Sequence, residues 1–120
     1  GNFLPYNLWQ HVIQNSKSYD NLLMGVGGVL YPPRSLYGDV LKEKLFMQYA
    51  PTADDLWIWA MVVMNKTKIN VICNRNSTTI PVPNVNNEFA LYNENSIGKN
   101  DEQLIQIVNH YPEILKILNN

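Results

Sequence analysis

Long hydrophobic runs, a second cysteine and an excess of charge of either sign are all missing from this 120-residue chain, and each absence narrows what it can do. The longest purely apolar run is the nine residues from Leu56 to Met64, while a membrane-spanning helix needs about 20. No transmembrane segment is expected, and no signal-peptide pattern is present. A single cysteine, Cys73, excludes an internal disulfide. In its β-branched stretch it reads as a buried, inert thiol suited to a reducing compartment. Nine Lys plus Arg against ten Asp plus Glu leave a net charge of −1, so no overall field draws the surface toward nucleic acid or anionic lipid. His11 and His110 stand far apart without ligand spacing around either, and no metal site is read in the chain.

What is present is enough apolar material for one core: 46% hydrophobic residues, with three Trp, seven Tyr and three Phe. The length fits a single domain over residues 1–120. Both ends read as cut, since the chain opens on "GNFLPYNLW" without an initiator Met, and the expectation is a segment of a longer protein. Residues 2–21 show no clean periodicity and read as irregular, with a short helix around Leu8 to Asn15. "LLMGVGGVLY" reads as a buried strand over Leu22 to Tyr31, closed by Pro32 and Pro33. Its three glycines are unusual, because glycine weakens a strand unless a backbone or a ligand must come close.

Asp39 is placed to cap a helix running to Tyr49, with Val40, Leu41, Leu45 and Phe46 inward. Pro51 stops it. A second helix spans Ala53 to Asn65, apolar all round and therefore buried. "KINVICN" predicts a strand at Lys68 to Asn74. The stretch from Arg75 to Lys99 reads as extended and irregular, with "FALYN" as a short strand. Asn100 with Gln103 marks the start of a helix lined by Leu104, Ile107, Val108 and Tyr111, and Pro112 restarts it with Ile114, Leu115 and Leu118. The order of elements predicts an α/β fold of few strands flanked by helices.

"APTADDLWIW" carries the chemistry. Thr52 stands where an N-cap belongs and Asp55 falls three residues on, which gives a capping-box-like start to the helix. Acidic groups at a helix N-terminus also meet the positive end of the helix dipole, an effect of roughly 0.3–1 kcal/mol. Asp54 is not absorbed by that account. Consecutive helix positions lie ~100° apart, so the two carboxylates cannot serve one cap contact together. One can cap while the other faces a cleft, and a carboxylate fixed on a rigid helix is what a general base requires.

"GVGGVLYPPRSL", then "APTADDLWIWAM" about twenty residues later, then "NKTKINV", together resemble the C-terminal half of bacterial glycosyltransferases of the GT-A (nucleotide-diphospho-sugar transferase) fold, family 2-like. The likeness covers about Leu22 to Val71, with a looser match over "ALYNENSIGKNDEQL". It implies the acceptor-side portion of a catalytic domain, acting on a nucleotide-sugar donor and a glycan or lipid-linked acceptor of polysaccharide biosynthesis. By that resemblance Asp55 is the catalytic base, with Asp54 beside it, and Gly25, Gly27 and Gly28 leave room for a sugar ring. A carboxylate at the third helical position can accept a backbone N–H through one oxygen and a substrate hydroxyl through the other. The family holds a divalent metal, Mg or Mn, with an Asp-x-Asp motif, and no such motif occurs here. The metal is therefore expected in the full-length enzyme and not on this segment, which is expected to be inactive alone. The resemblance also implies a cytoplasmic setting, either free or peripheral at the inner membrane face.

Tyr31 and Trp57 are candidates for stacking on a sugar, with ordinary aromatic packing as the alternative for each. Arg34, after Pro33, is a candidate for a phosphate or an acceptor carboxylate. Asp101 and Gln103 are explained by helix capping. The rival to the enzyme is a non-catalytic glycan- or protein-binding module. A glycosidase fits poorly, because its two carboxyls straddle the scissile bond from separate elements. A sheet cut from a larger domain exposes strand edges, so a homo-oligomer is expected.

Overall fold

The computed structural model describes residues 3–73, Pro83 and 98–120. The run from Leu56 to Met64 forms most of α2 (Asp54–Met64), and Leu56, Trp57, Trp59, Ala60, Met61, Val62 and Val63 are buried along it. A helix apolar on every side must be covered on every side. Here α1 (Glu43–Tyr49), the 3-10 turn Gly38–Leu41, α3 (Asn100–His110) and α4 (Glu113–Leu118) all pack against it. Each large side chain buried in this way contributes roughly 1.5–3 kcal/mol. Trp57 and Trp59 cannot share a face, and both are core. Their indole N–H groups donate to the Val40 carbonyl at 3.1 Å and the Tyr19 carbonyl at 2.9 Å, so neither buried donor is left unmatched.

The face expected on α3 is the one that packs: Leu104, Ile107, Val108 and Tyr111 are buried, as is Ile114 on α4 beyond Pro112. The helix expected from Asp39 to Tyr49 is instead two pieces. Gly38–Leu41 is a 3-10 turn, and Lys42 is extended (φ −76°, ψ 94°) before α1 begins at Glu43. The break changes the helical phase: Val40, Leu45 and Phe46 pack against the core, whereas Leu41 is 86% exposed. Asp39 does not cap α1. Its carboxylate takes Lys42 Nζ at 2.6 Å and the Tyr111 hydroxyl at 2.8 Å.

The strand expected over Leu22 to Tyr31 does not form. Gly27 N–H donates to the Met24 carbonyl and Gly28 N–H to the Gly25 carbonyl, closing a 3-10 turn over Gly25–Gly27. Gly28 continues at φ +84°, outside any β conformation open to L residues. Met24, Val26 and Leu30 are consequently exposed. The strand that does pair comes from the stretch expected to be irregular. β1 (Ser16–Ser18) runs antiparallel to β2 (Ile69–Val71), with Ser16 opposite Val71, Lys17 opposite Asn70 and Ser18 opposite Ile69. Buried Asn21 locks the pair, its amide donating to the Ser16 and Ile69 carbonyls at 3.2 and 3.1 Å. Upstream, the helix expected around Leu8 to Asn15 is replaced among the described residues by a 3-10 turn over Tyr6–Leu8. "FALYN" lies outside the described residues. The described chain is thus of mixed α/β character, with helices around a buried α2 and one small two-stranded sheet.

Candidate functional site

The acid pair opens α2, and its two members differ. Asp54 is exposed, while Asp55 is half-buried. The capping box is not formed: the N-cap residue is Ala53, and no side chain caps α2. Thr52 is engaged elsewhere, its N–H donating to Gln103 Oε1 at 3.0 Å and its hydroxyl accepting from Gln103 Nε2 at 2.9 Å. That clasp also displaces the capping role expected of Gln103, whose amide donates to the Lys99 carbonyl as well. Asp101, likewise expected at a cap, accepts the Tyr6 N–H at 2.7 Å.

Relieved of capping, Asp55 reaches across the chain. Its Oδ1 accepts the Gly25 N–H at 3.0 Å, over a sequence separation of 30 residues. No hydrogen bond among the described residues engages Oδ2. Burial raises the carboxyl of Asp55 above the usual aspartate range, the Gly25 N–H pulls it partly back, and the negative charge of Asp54 raises it again. Tyr31 feels the same pair. Its phenol is pushed up by partial burial, then by the charges of Asp55 and Asp54, so its hydroxyl stays a proton donor through the neutral range.

The three glycines serve different ends. A Cβ on Gly25 would stand 3.2 Å from Asp55 Oδ1, whereas at Gly27 and Gly28 it would meet nothing within 4 Å. Gly28 is held by its positive φ, and Gly27 by neither constraint. Gly25 is the member of the trio that touches the acid pair. Glycine inside an apolar run was the available signal for it, though nothing in the spacing says which glycine lies against which acid.

Arg34 is exposed, sits at φ +63°, and has its carbonyl fixed by Asn65 Nδ2 at 2.9 Å. Trp57 is removed from the list of substrate contacts, since it is only 3% exposed and its N–H is taken by Val40. The structure therefore brings Asp54, Asp55, Gly25 and Tyr31 together and sends Trp57 to the core. His110, outside this group, stacks on Tyr49 with ring centroids 4.6 Å apart.

Two adjacent carboxylates, one of them bonded to an amide, do not make a ligand set for the divalent metal expected of a whole glycosyltransferase. Among the described residues no group of three or more His, Cys, Asp or Glu side chains converges on a point. A groove of about 480 Å³ runs between Phe3–Pro5 and α3, lined by Leu104, Ile105 and Leu115. A shallower recess of about 340 Å³ lies beside Tyr49 and His110. Neither is lined by Asp54 or Asp55. None of the described helices is long and apolar enough to cross a membrane. Compared with protein-family models, curated proteins and solved structures, the chain matches none.

Proposed function

We propose that this chain is the acceptor-side segment of a GT-A-type glycosyltransferase, with Asp55 as general base. The observation that carries the reading is the state of one side chain: Asp55 is anchored through Oδ1, open at Oδ2, and shifted toward higher pKa by burial. A carboxylate made more basic while held on a rigid helix suits proton abstraction near neutral pH. Oδ2 accepts the proton of an acceptor hydroxyl as that oxygen bonds to the anomeric carbon of a nucleotide-linked sugar. The bond from that carbon to the diphosphate oxygen breaks, and the nucleotide leaves with the electron pair. Attack from the face opposite the leaving group inverts the centre. The Tyr31 hydroxyl, kept protonated beside the pair, is available to donate to an acceptor oxygen, and Arg34 lies exposed further along the same connection.

The test is transfer by the full-length protein carrying this segment, measured as nucleoside diphosphate released from a panel of nucleotide sugars. Asp55→Asn preserves an oxygen for the Gly25 N–H but cannot take a proton, so it is expected to lose at least about 100-fold in transfer with its fold intact. Asp54→Asn is expected to lose far less. Undiminished transfer in Asp55→Asn overturns the assignment.

One observation favours the second reading, a non-catalytic glycan- or protein-binding module. Met24 and Val26, on either side of Gly25, are exposed, as are Leu30 and Tyr31 further along the same connection. Saturable glycan binding without turnover, unchanged in Asp55→Asn, would decide for it.

A further inference from the structure

We infer that Gly25 is the positioning residue of this site: its amide N–H fixes which oxygen of Asp55 is tied down, and the absence of a side chain at this position is what allows the carboxylate to approach. The inference deepens the general-base reading and concerns which atom of Asp55 faces the acceptor.

The backbone at Gly25 does not demand glycine. Positive φ occurs at Gly28 and Gly98 but not at Gly25. Proximity is the requirement, because a Cβ would lie 3.2 Å from Asp55 Oδ1, tighter than an ordinary carbon–oxygen contact. The carboxylate would have to retreat by a few tenths of an ångström, and a hydrogen bond now at 3.0 Å would lengthen toward the limit at which it still counts. The contact is also well braced. On one side Asp55 belongs to the first turn of α2, whose next residues Leu56 and Trp57 are buried. On the other, the Gly25 carbonyl accepts the Gly28 N–H, so both polar backbone groups of Gly25 are committed. A bond from an amide to an ionised carboxylate is stronger than a neutral one. With Oδ1 pinned, the rotation of the carboxyl is fixed and Oδ2 is the atom presented outward.

Two measurements on this chain test the inference without any sugar transfer. In wild type, the Gly25 amide is expected to exchange with solvent at least about tenfold more slowly than an unprotected amide, although the residue itself is exposed. Asp55→Ala should abolish that protection and Asp55→Asn should retain it. A Gly25 amide exchanging at the unprotected rate in wild type overturns the inference. In the second measurement, the Asp55 carboxyl is titrated by carbon NMR in Gly25→Ala. Its midpoint should rise, because the N–H that favours the ionised form is weakened, while Asp54→Asn should lower it by removing a neighbouring negative charge. An unmoved midpoint in folded Gly25→Ala overturns the inference, and the exchange data decide if that variant fails to fold. In the full-length protein the acidic limb of the transfer rate should follow the same shift. Loss of transfer in Asp55→Asn together with an unprotected Gly25 amide would leave the base standing and remove only its tether.

Discussion

At Gly28 the backbone passes through φ +84° with open space where a Cβ would go, so the cost of a side chain there is conformational and not steric crowding by neighbours. Gly28→Ala is expected to destabilise by about 1 kcal/mol or more, while Gly27→Ala, at an unstrained and open position, should be neutral or stabilise by roughly 0.4–1 kcal/mol by restricting the unfolded chain. Urea denaturation of both variants checks the contrast. If Gly27 faces the acceptor, its alanine variant should lose transfer while keeping that stability. Two carboxylates give opposite pH signatures. Asp39 is held below the usual range by hydrogen bonds from Lys42 and then Tyr111, so its stabilising contribution is present above the unfolded value of about 4 and is lost as pH falls through the depressed folded value. Asp55 is raised, so the folded state binds the extra proton and ionisation erodes stability as pH climbs from about 4 toward the folded value. Relative to wild type, Asp39→Asn should therefore become more costly as pH rises out of the acid range. Asp55→Asn should become less costly over its own window. Thermal melting across pH reads both, and parallel profiles for the two variants would contradict the assignment.

The connection between α1 and α2 is held by a side chain from α3. Gln103 is buried and occupies three partners at once, the Thr52 N–H, the Thr52 hydroxyl and the Lys99 carbonyl. Gln103→Ala strips all three contacts, and a cost of roughly 1–3 kcal/mol is expected, because buried polar groups are left unmatched. A denaturation midpoint unchanged within error would show the clasp to be dispensable. This contact was not legible beforehand, since Thr52 and Gln103 are 51 residues apart and each fits a local capping pattern equally well. The long helices were legible for the opposite reason. The apolar run of α2 and the spacing of Leu104, Ile107, Val108 and Tyr111 are strong local signals, and burial rewards them directly. β1 carried no such signal, because Ser16, Lys17 and Ser18 owe their conformation to a partner at Ile69–Val71. The stretch from Leu22 to Tyr31 misled through composition: its apolar residues suit a strand, but the turn at Gly25–Gly27 and the dihedral at Gly28 prevent one. The acid pair was visible as a pair, and which acid would be tethered, and by what, depended on how that turn folds over the start of α2.

At the scale of the molecule, part of the exposed apolar surface lies beside the two-stranded sheet. Among the described residues the sheet has two strands, and there β1 and β2 each carry one edge without a strand partner. Ile13 and Ile72, which flank the pair, are 84% and 73% exposed. Open edges beside exposed aliphatic side chains favour pairing with another strand, and a second copy is always at hand in a pure sample. Lys17, in the middle of β1, and Lys68, just before β2, are exposed charges, a feature that discourages tight edge-to-edge growth. The balance predicts reversible dimerisation and not open-ended assembly. Sedimentation equilibrium should show the average mass rising with concentration from 13.8 kDa toward twice that value. Ile72→Lys, which adds a charge next to β2 at a position 73% exposed, should shift the balance back to the monomer while leaving the melting of the monomer unchanged. If the wild-type chain stays at the monomer mass over the whole accessible range, the sheet edges are not an association surface, and the aliphatic exposure around Ile13 and Ile72 must have another cause.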